Sequence, residues 1–355
     1  MIESLQSLRI IFVAMVFMSH FALNTTPFDY GGDCGVAFFF MLSGFVLSHA
    51  HGGQVADGSY AAGRFLKKRL FKFYPLHLPC LLFTIAIHAG RLTPADYVRL
   101  LPNFFLIQSW FPQSDIYFSG NGVSWFLSDL LFMYLLFPCL YKRIHRTRLR
   151  NLALAAIALT GAYVAFILLV PEDNVRWFVY VLPASRLADF SIGIITCRIC
   201  QETTLPSRFS SLSYIGKTAI ELSLIAVLAC WCAAYPSINP RVRTSLIFWT
   251  CLPPTIAFFA ATDRNGGLIT SILHKKFLLW LGRISFEIYM VHQIVINVIL
   301  SESMKHQCSG HYGALLLLCI LVTIASAQVS RKAISLLHAG RKDWGMRQKE
   351  RTSAE

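Results

Sequence analysis

Apolar and polar positions in this 355-residue chain alternate by whole segments rather than by single residues. Ten runs of mostly apolar residues lie near 6–23, 34–50, 70–89, 124–141, 152–170, 178–199, 214–235, 245–262, 277–300 and 312–330. Each is close to the length a helix needs to cross a bilayer core. The pattern predicts an all-α integral membrane protein of about ten transmembrane helices. Glu3 precedes the first run, His20 interrupts it and no small-x-small site follows, so it reads as a retained span rather than a cleavable signal. Residues 1–335 read as one transmembrane domain. Residues 336–355 read as a basic, disordered tail able to lie on anionic lipid. The loop near 90–123, rich in Pro, Asn, Gly and aromatics, is long enough to fold over an outer cavity as a lid.

Composition agrees, with 55% hydrophobic residues against 14% charged. The net charge of +14, from 32 basic and 18 acidic side chains, would suggest nucleic acid in a soluble protein. Here the bases cluster in short loops between apolar runs, so the partner is the bilayer and not nucleic acid. With the N-terminus inside, 25 of the 32 fall on the inner side, from Arg9 to the seven between Arg331 and Arg351. Arg91, Arg99, Arg176, Arg241, Arg243 and Lys305 fall outside, and Arg186 lies within a span. The split alternates loop by loop, which predicts both termini in the cytoplasm. Ten cysteines are scattered. Cys197 and Cys200 have C-x-x-C spacing but no second pair, and read as incidental; Cys34 and Cys308 could share an oxidising side. No Walker, G-x-G-x-x-G or H-E-x-x-H motif occurs, and no metal is expected.

Ionisable residues inside apolar runs are costly, and each is a functional candidate. In RIIFVAMVFMSH, eleven helical steps of about 100° return Arg9 and His20 to one face, about 16 Å apart along the axis. In FFFMLSGF, Ser43-Gly44 allows a second helix close, with Ser43 able to bond across the contact. In RLFKFYP, Arg69 and Lys72 are helix neighbours before Tyr74, a cation pair suited either to a phosphorylated ligand or to ordinary topology and lipid headgroups. Trp125 and Asp129 share SWFLSDLLFMYLLFP. Arg186 and Asp189, three apart, could neutralise each other. LGRISFEIYMVHQ puts Glu287, Tyr289 and His292 in one helix. Together these residues imply a polar cavity within the bundle.

In these stretches the chain resembles the acyltransferase 3 family of integral membrane acyltransferases, many of which O-acetylate surface polysaccharides. Arg9 to His20 is similar to the family's R-x10-H, and FFFMLSGF to its F-F-x-x-S-G-F. RLFKFYP resembles R-x-x-R-x-Y-P with Lys72 as the second cation, which keeps the charge but not the bidentate fork. SWFLSDLLFMYLLFP resembles W-x-L-S-x-E…F-Y-L-L-x-P with Asp129 for the glutamate. LGRISFEIYMVHQ resembles L-G-x-x-S-Y-x-x-Y-L-x-H. Ala37 stands where an aspartate often follows Gly-Val, and Asp33 is the acid left nearby. The chain reads as the membrane part alone, without the hydrolase-like domain some members carry.

The resemblance implies a multi-pass O-acyltransferase of the bacterial cytoplasmic (inner) membrane. Its donor would be acyl-coenzyme A, acetyl-CoA above all, used as a substrate with no permanently bound cofactor. Its acceptor would be a hydroxyl on a surface glycan such as lipopolysaccharide, or on a lipid-linked precursor. Arg9, Arg69, Lys72 and Tyr74 would bind the donor, and His20 would act as general base, with Arg9 and Asp129 in the catalytic set. An acyl-histidine intermediate is the second variant. Ser43, Trp125, Arg186, Asp189, Glu287, Tyr289 and His292 would line the acceptor site or cavity. Asp129, Glu287 and His292 are each open as the group that orients His20. Two alternatives stand beside this reading: a small-molecule acceptor such as an antibiotic, and a transporter, against which the lack of paired broken helices weighs.

Overall fold

The computed structural model describes residues 2–21, 31–300 and 312–352, with side chains described up to 337. Lys305, Cys308 and the tail's side chains lie outside that range. Every regular element among the described residues is helical. The helices used below are α1 (Glu3–Phe21), α2 (Gly32–Ala56), α3 (Ala62–His88), α4 (Pro94–Phe104), α5 (Trp125–Arg146) and α6 (Leu149–Leu169). They continue with α7 (Pro183–Glu202), α8 (Tyr214–Ala234), α9 (Leu252–Ala261), α10 (Ser285–Ile299) and α11 (Tyr312–Thr352). Eight helices among the described residues are long and apolar enough to cross a membrane. Shorter apolar helices, Leu246–Ala261 and Ser285–Ile299, fill the two other expected segments. The chain is therefore an all-α integral membrane protein.

Both short cases have local causes. Pro253 and Pro254 have no N–H and sit in the first turns of α9, after a 3₁₀ turn over Leu246–Thr250. The segment near 277–300 breaks after Lys276–Arg283, and α10 starts afresh at Ser285. At the other end, α11 continues as helix to Thr352, so the backbone expected to be disordered is helical.

α1, α2, α5, α7 and α10 make the buried centre, while α6 and α8 present leucines and isoleucines outward, as helices that face lipid do. α2 and α7 touch backbone to backbone. A methyl group at Gly44 would overlap the Phe190 carbonyl, and one at Gly193 the Met41 carbonyl. The close approach expected at Ser43-Gly44 is thus real, but the Ser43 hydroxyl bonds Phe39 O of its own helix (2.7 Å) rather than crossing the contact.

Residues 94–124 fold across one end of the bundle. Thr93 and Asp96 cap α4 reciprocally. The Tyr74 hydroxyl donates to Phe104 O (2.9 Å), His77 Nε2 to Asn103 O (2.9 Å), Trp177 Nε1 to Ser109 O (3.0 Å) and Asn121 Nδ2 to Met290 O (2.8 Å). Three of these bonds use bundle side chains to satisfy lid carbonyls, and the fourth uses the lid's Asn121 to satisfy a carbonyl of α10.

Candidate active site

Arg9, Arg69 and Lys72 line one cavity of about 120 Å³ at the end where the basic loops gather. Arg9 projects from α1, and Arg69 and Lys72 from adjacent positions on α3. Arg9 Nε donates to Ser285 Oγ (3.0 Å). The Arg69 guanidinium lies over the Phe65 and Tyr134 rings (4.7 and 5.2 Å), and Lys72 Nζ lies 5.7 Å from the Phe286 ring. Aromatic faces stabilise these cations without taking their hydrogen bonds. No carboxylate is among the described residues that line this cavity. Beside it a second opening, about 350 Å³, shares Arg9 and Lys72 and adds Arg283, Arg331 and Glu287. Arg331 Nη1 donates to the Arg283 carbonyl.

Eleven residues along α1, His20 lines a different cavity, about 300 Å³, under the lid. Phe118, Gly120, Gly122 and Val123 of the lid, Trp125 of α5, Arg176, Tyr180, and Gln293 and Asn297 of α10 surround it. His292, fully buried, lies against His20 with Nε2 3.2 Å from His20 Nδ1. The network fixes both rings. His292 Nδ1 faces Tyr289 O (2.7 Å), so it carries the proton and its Nε2 is an acceptor. His20 Nδ1 faces both that Nε2 and Val16 O (2.9 Å), so it donates to them. The lone pair of neutral His20 is left on Nε2, the nitrogen a general base would use.

Tyr289 separates the two cavities and lines both. Its ring packs on Phe126 (centroids 5.3 Å) and Phe39 (6.4 Å), and its hydroxyl donates to Val123 O (3.1 Å). One histidine site and one cation site thus share helix α1, with an aromatic wall between them.

The acyltransferase domain of the acyltransferase 3 family matches residues 2–329, nearly the whole chain. The chain belongs to the acyltransferase 3 family. It is a membrane enzyme that transfers acyl groups, which removes the transporter reading. Acyltransferase MdmB of Streptomyces mycarofaciens is 27% identical over 289 residues, covering 75% of this chain and 68% of that protein. Protein 2 in picA locus of Rhizobium radiobacter is 45% identical over 71 residues, covering 19% of this chain and 37% of that protein. No solved structure matches the chain at a significant level.

The acyltransferase 3 motifs divide between the two cavities and their walls. Ser43 joins the three cations, Trp125 lines the histidine cavity, and Tyr289 lies between. Of the three candidate orienters, His292 is the one that touches His20. Glu287 lies at the basic opening. Asp129 is buried off both cavities, facing the Ser109 hydroxyl with Arg186 within electrostatic reach. Arg186 and Asp189 pair with each other (2.9 Å) in the bundle interior. Asp189 also accepts from Ser245 Oγ (2.6 Å) and Trp249 Nε1 (2.5 Å), and Arg186 lies over Phe40 (5.0 Å). Tyr74 stands apart from the cations, holding the lid. Asp33, the acid nearest Ala37, accepts from the Tyr235 hydroxyl.

Four polar or charged lining residues of the histidine cavity fall at none of the matched motif positions: Arg176, Tyr180, Asn297 and Gln293, the last directly after His292. Arg176 reads in sequence as a loop charge. A π-helical turn over Trp177–Val181 follows it, and Tyr180 lies one turn on, so both reach the cavity.

Proposed function

We propose that the enzyme moves an acyl group, most simply acetyl, from acyl-coenzyme A to a hydroxyl of a surface glycan or its lipid-linked precursor. The observation that carries the reading is the division of α1: cations at its basic end, and a basic imidazole nitrogen under the lid about 16 Å away. Coenzyme A carries phosphates at one end and a thioester at the end of an extended arm. The phosphates suit Arg9, Arg69 and Lys72, through charge-assisted bonds to groups that lack carboxylate partners in their cavity. The arm has a length comparable to the Arg9–His20 gap and passes when Tyr289 turns aside. The acceptor oxygen then attacks the thioester carbonyl while its proton passes to His20 Nε2. Collapse of the tetrahedral species expels the coenzyme A thiolate, which takes the proton back, leaving an ester, a free thiol and neutral His20. His292 holds the ring in that tautomer. The basic end faces the cytoplasm, where acyl-coenzyme A is made, and the membrane is the bacterial cytoplasmic one.

The test is thiol release from acetyl-coenzyme A by the purified protein, with mass spectrometry of surface polysaccharide from a deletion strain. Thiol release together with a lost O-acetyl group in the deletion strain is expected. A protein that folds, binds no acetyl-coenzyme A and releases no thiol overturns the reading.

A further inference from the structure

Arg176 is an exposed cation in the cavity under the lid. Its guanidinium lies over the rings of Phe118 (5.6 Å) and Tyr180 (5.2 Å). No carboxylate lies within ion-pair distance of it among the described residues, and none of the described residues lining the cavity is acidic. Asp33, on α2, is within electrostatic reach, but its carboxylate already accepts from Tyr235. Two rings therefore hold the guanidinium in place without using up its planar fork of donors. Around it the walls suit a sugar. Trp125 packs on Tyr180 (4.9 Å) to give an aromatic surface, and Gln293 Oε1 is buried with no hydrogen-bond partner among the described residues. Gly122 leaves room for that amide, because a methyl group there would press on Gln293 Oε1. Arg176 and His20 line the same cavity, so a ligand held by the arginine lies in the space that the histidine also borders.

Resting on the acyl-transfer reading above, we propose that the acceptor carries an oxyacid group, the carboxylate of a uronic acid or a phosphate on a sugar, and that Arg176 binds it. The fork of Arg176 takes two oxygens of the anion, Trp125 and Tyr180 stack on a sugar face, and Gln293 accepts from a hydroxyl. The reacting hydroxyl is then presented to His20 Nε2 by the same contacts. An arginine so placed selects acceptors by charge rather than by sugar outline alone.

The experiment uses the full-length protein in lipid nanodiscs and two matched probe pairs. One pair is a glucuronate oligosaccharide and its methyl ester, and the other is glucose 6-phosphate and glucose. Affinity is read by tryptophan fluorescence, transfer by labelled acetyl-coenzyme A. The wild type is expected to bind one acid at least about tenfold more tightly than its neutral partner, as a charge-assisted pair would give. Added salt should shrink that preference. Which acid binds separates carboxylate from phosphate. Arg176→Gln should level each pair, and Arg176→Lys should keep part of the preference. Equal binding of acid and neutral probes by the wild type overturns the proposal whether or not the variants fold, and so does failure of both acids to bind. A preference that survives Arg176→Gln overturns it too. So does an equal fall in transfer to all four probes, which would make Arg176 an aid to the reacting carbonyl. Thiol release distinguishes the two levels. No release removes the acyl-transfer reading itself, and normal release without charge preference removes this proposal alone.

Discussion

Three cations line the cavity at the basic end of α1, each beside an aromatic ring or a hydroxyl and none in an ion pair among the described residues, with Glu287 in the adjoining opening. Among the described residues, the cavity under the lid is lined by one cation, two amide side chains and a histidine whose tautomer is set by a second histidine and two backbone carbonyls. The first arrangement gathers positive charge, which an arginine or a lysine can supply. The second depends on one nitrogen's lone pair facing one way. In the proposed reaction the first cavity binds and the second reacts, and Tyr289 lines both. Changes on the two sides of that ring should differ in kind as well as in size.

His20→Ala should show the largest effect. Loss of a general base costs typically 10²–10⁴-fold, so acetyl transfer should fall by at least about a hundredfold, with coenzyme A affinity kept. One alanine inserted between Arg9 and His20 should be nearly as damaging, because it turns the histidine by about 100° with every functional side chain still present. Transfer and coenzyme binding measured on the same purified variants check both. Wild-type turnover in a well-inserted His20→Ala protein sinks the division of labour.

Next come the cations. Arg69→Ala should raise the Michaelis constant for acetyl-coenzyme A by roughly 10-fold to 100-fold, the worth of one charge-assisted phosphate contact. Lys72→Ala should be milder, and Lys72→Arg neutral or better because it restores the fork. Steady-state kinetics with donor and acceptor varied separately decide the matter. An unchanged donor constant in Arg69→Ala reduces these residues to topology determinants.

These first two predictions rest on residues that the sequence displays. Arg9, His20, Arg69, Lys72 and His292 were legible because each is a polar residue at a marked position in an apolar helix. The ten segments were legible because lipid leaves the backbone few alternatives. Arg176 was not legible, since a charge after a loop proline and two acids looks like any solvated helix start, and only packing turns it under the lid. The breaks at Arg283 and Pro253-Pro254 shorten two helices that composition alone reads as full spans. The tether role of Tyr74 needs α4 beside it. Tyr289 stood out as one more polar residue in a helix. That it divides two cavities depends on Phe39 and Phe126 arriving from two other helices.

The wall itself is the third test. Tyr289→Phe keeps the ring and loses one hydrogen bond, worth about 1 kcal/mol, so transfer should change only a few-fold. Tyr289→Ala should open the wall to water and raise acetyl-coenzyme A hydrolysis relative to acetyl transfer. The readout is the ratio of thiol released to ester formed. A ratio of one in Tyr289→Ala, with transfer at the wild-type rate, would mean that the ring separates nothing.

The smallest effect should come from Asp263, which belongs wholly to the basic end. Its carboxylate accepts from the N–H groups of Ser4 (2.7 Å) and Glu3 (3.2 Å) and lies 3.2 Å from His274 Nε2. It therefore caps α1 from another segment, at the end where an unpaired N–H and the helix dipole both favour an anion. Burial acts to raise its pKa, but the hydrogen bonds from Ser4, His274 and Glu3 outweigh it and hold the group below its ordinary 3.8. A carboxylate with a depressed folded value adds stability that is complete above the unfolded value and is lost as pH falls through the folded one. Asp263→Ala should therefore cost on the order of 1 kcal/mol at neutral pH, as loss of a cap does. The gap in melting temperature between variant and wild type should narrow as pH drops below about 4. Because Arg9 lies less than two turns from this cap, the variant should raise the donor constant a few-fold as the first turn frays. The thiol-to-ester ratio, which reports events beyond Tyr289, should stay at its wild-type value. A melting-temperature gap that stays constant down to pH 3 removes the titrating cap. An altered thiol-to-ester ratio shows that the two ends of α1 do not act separately.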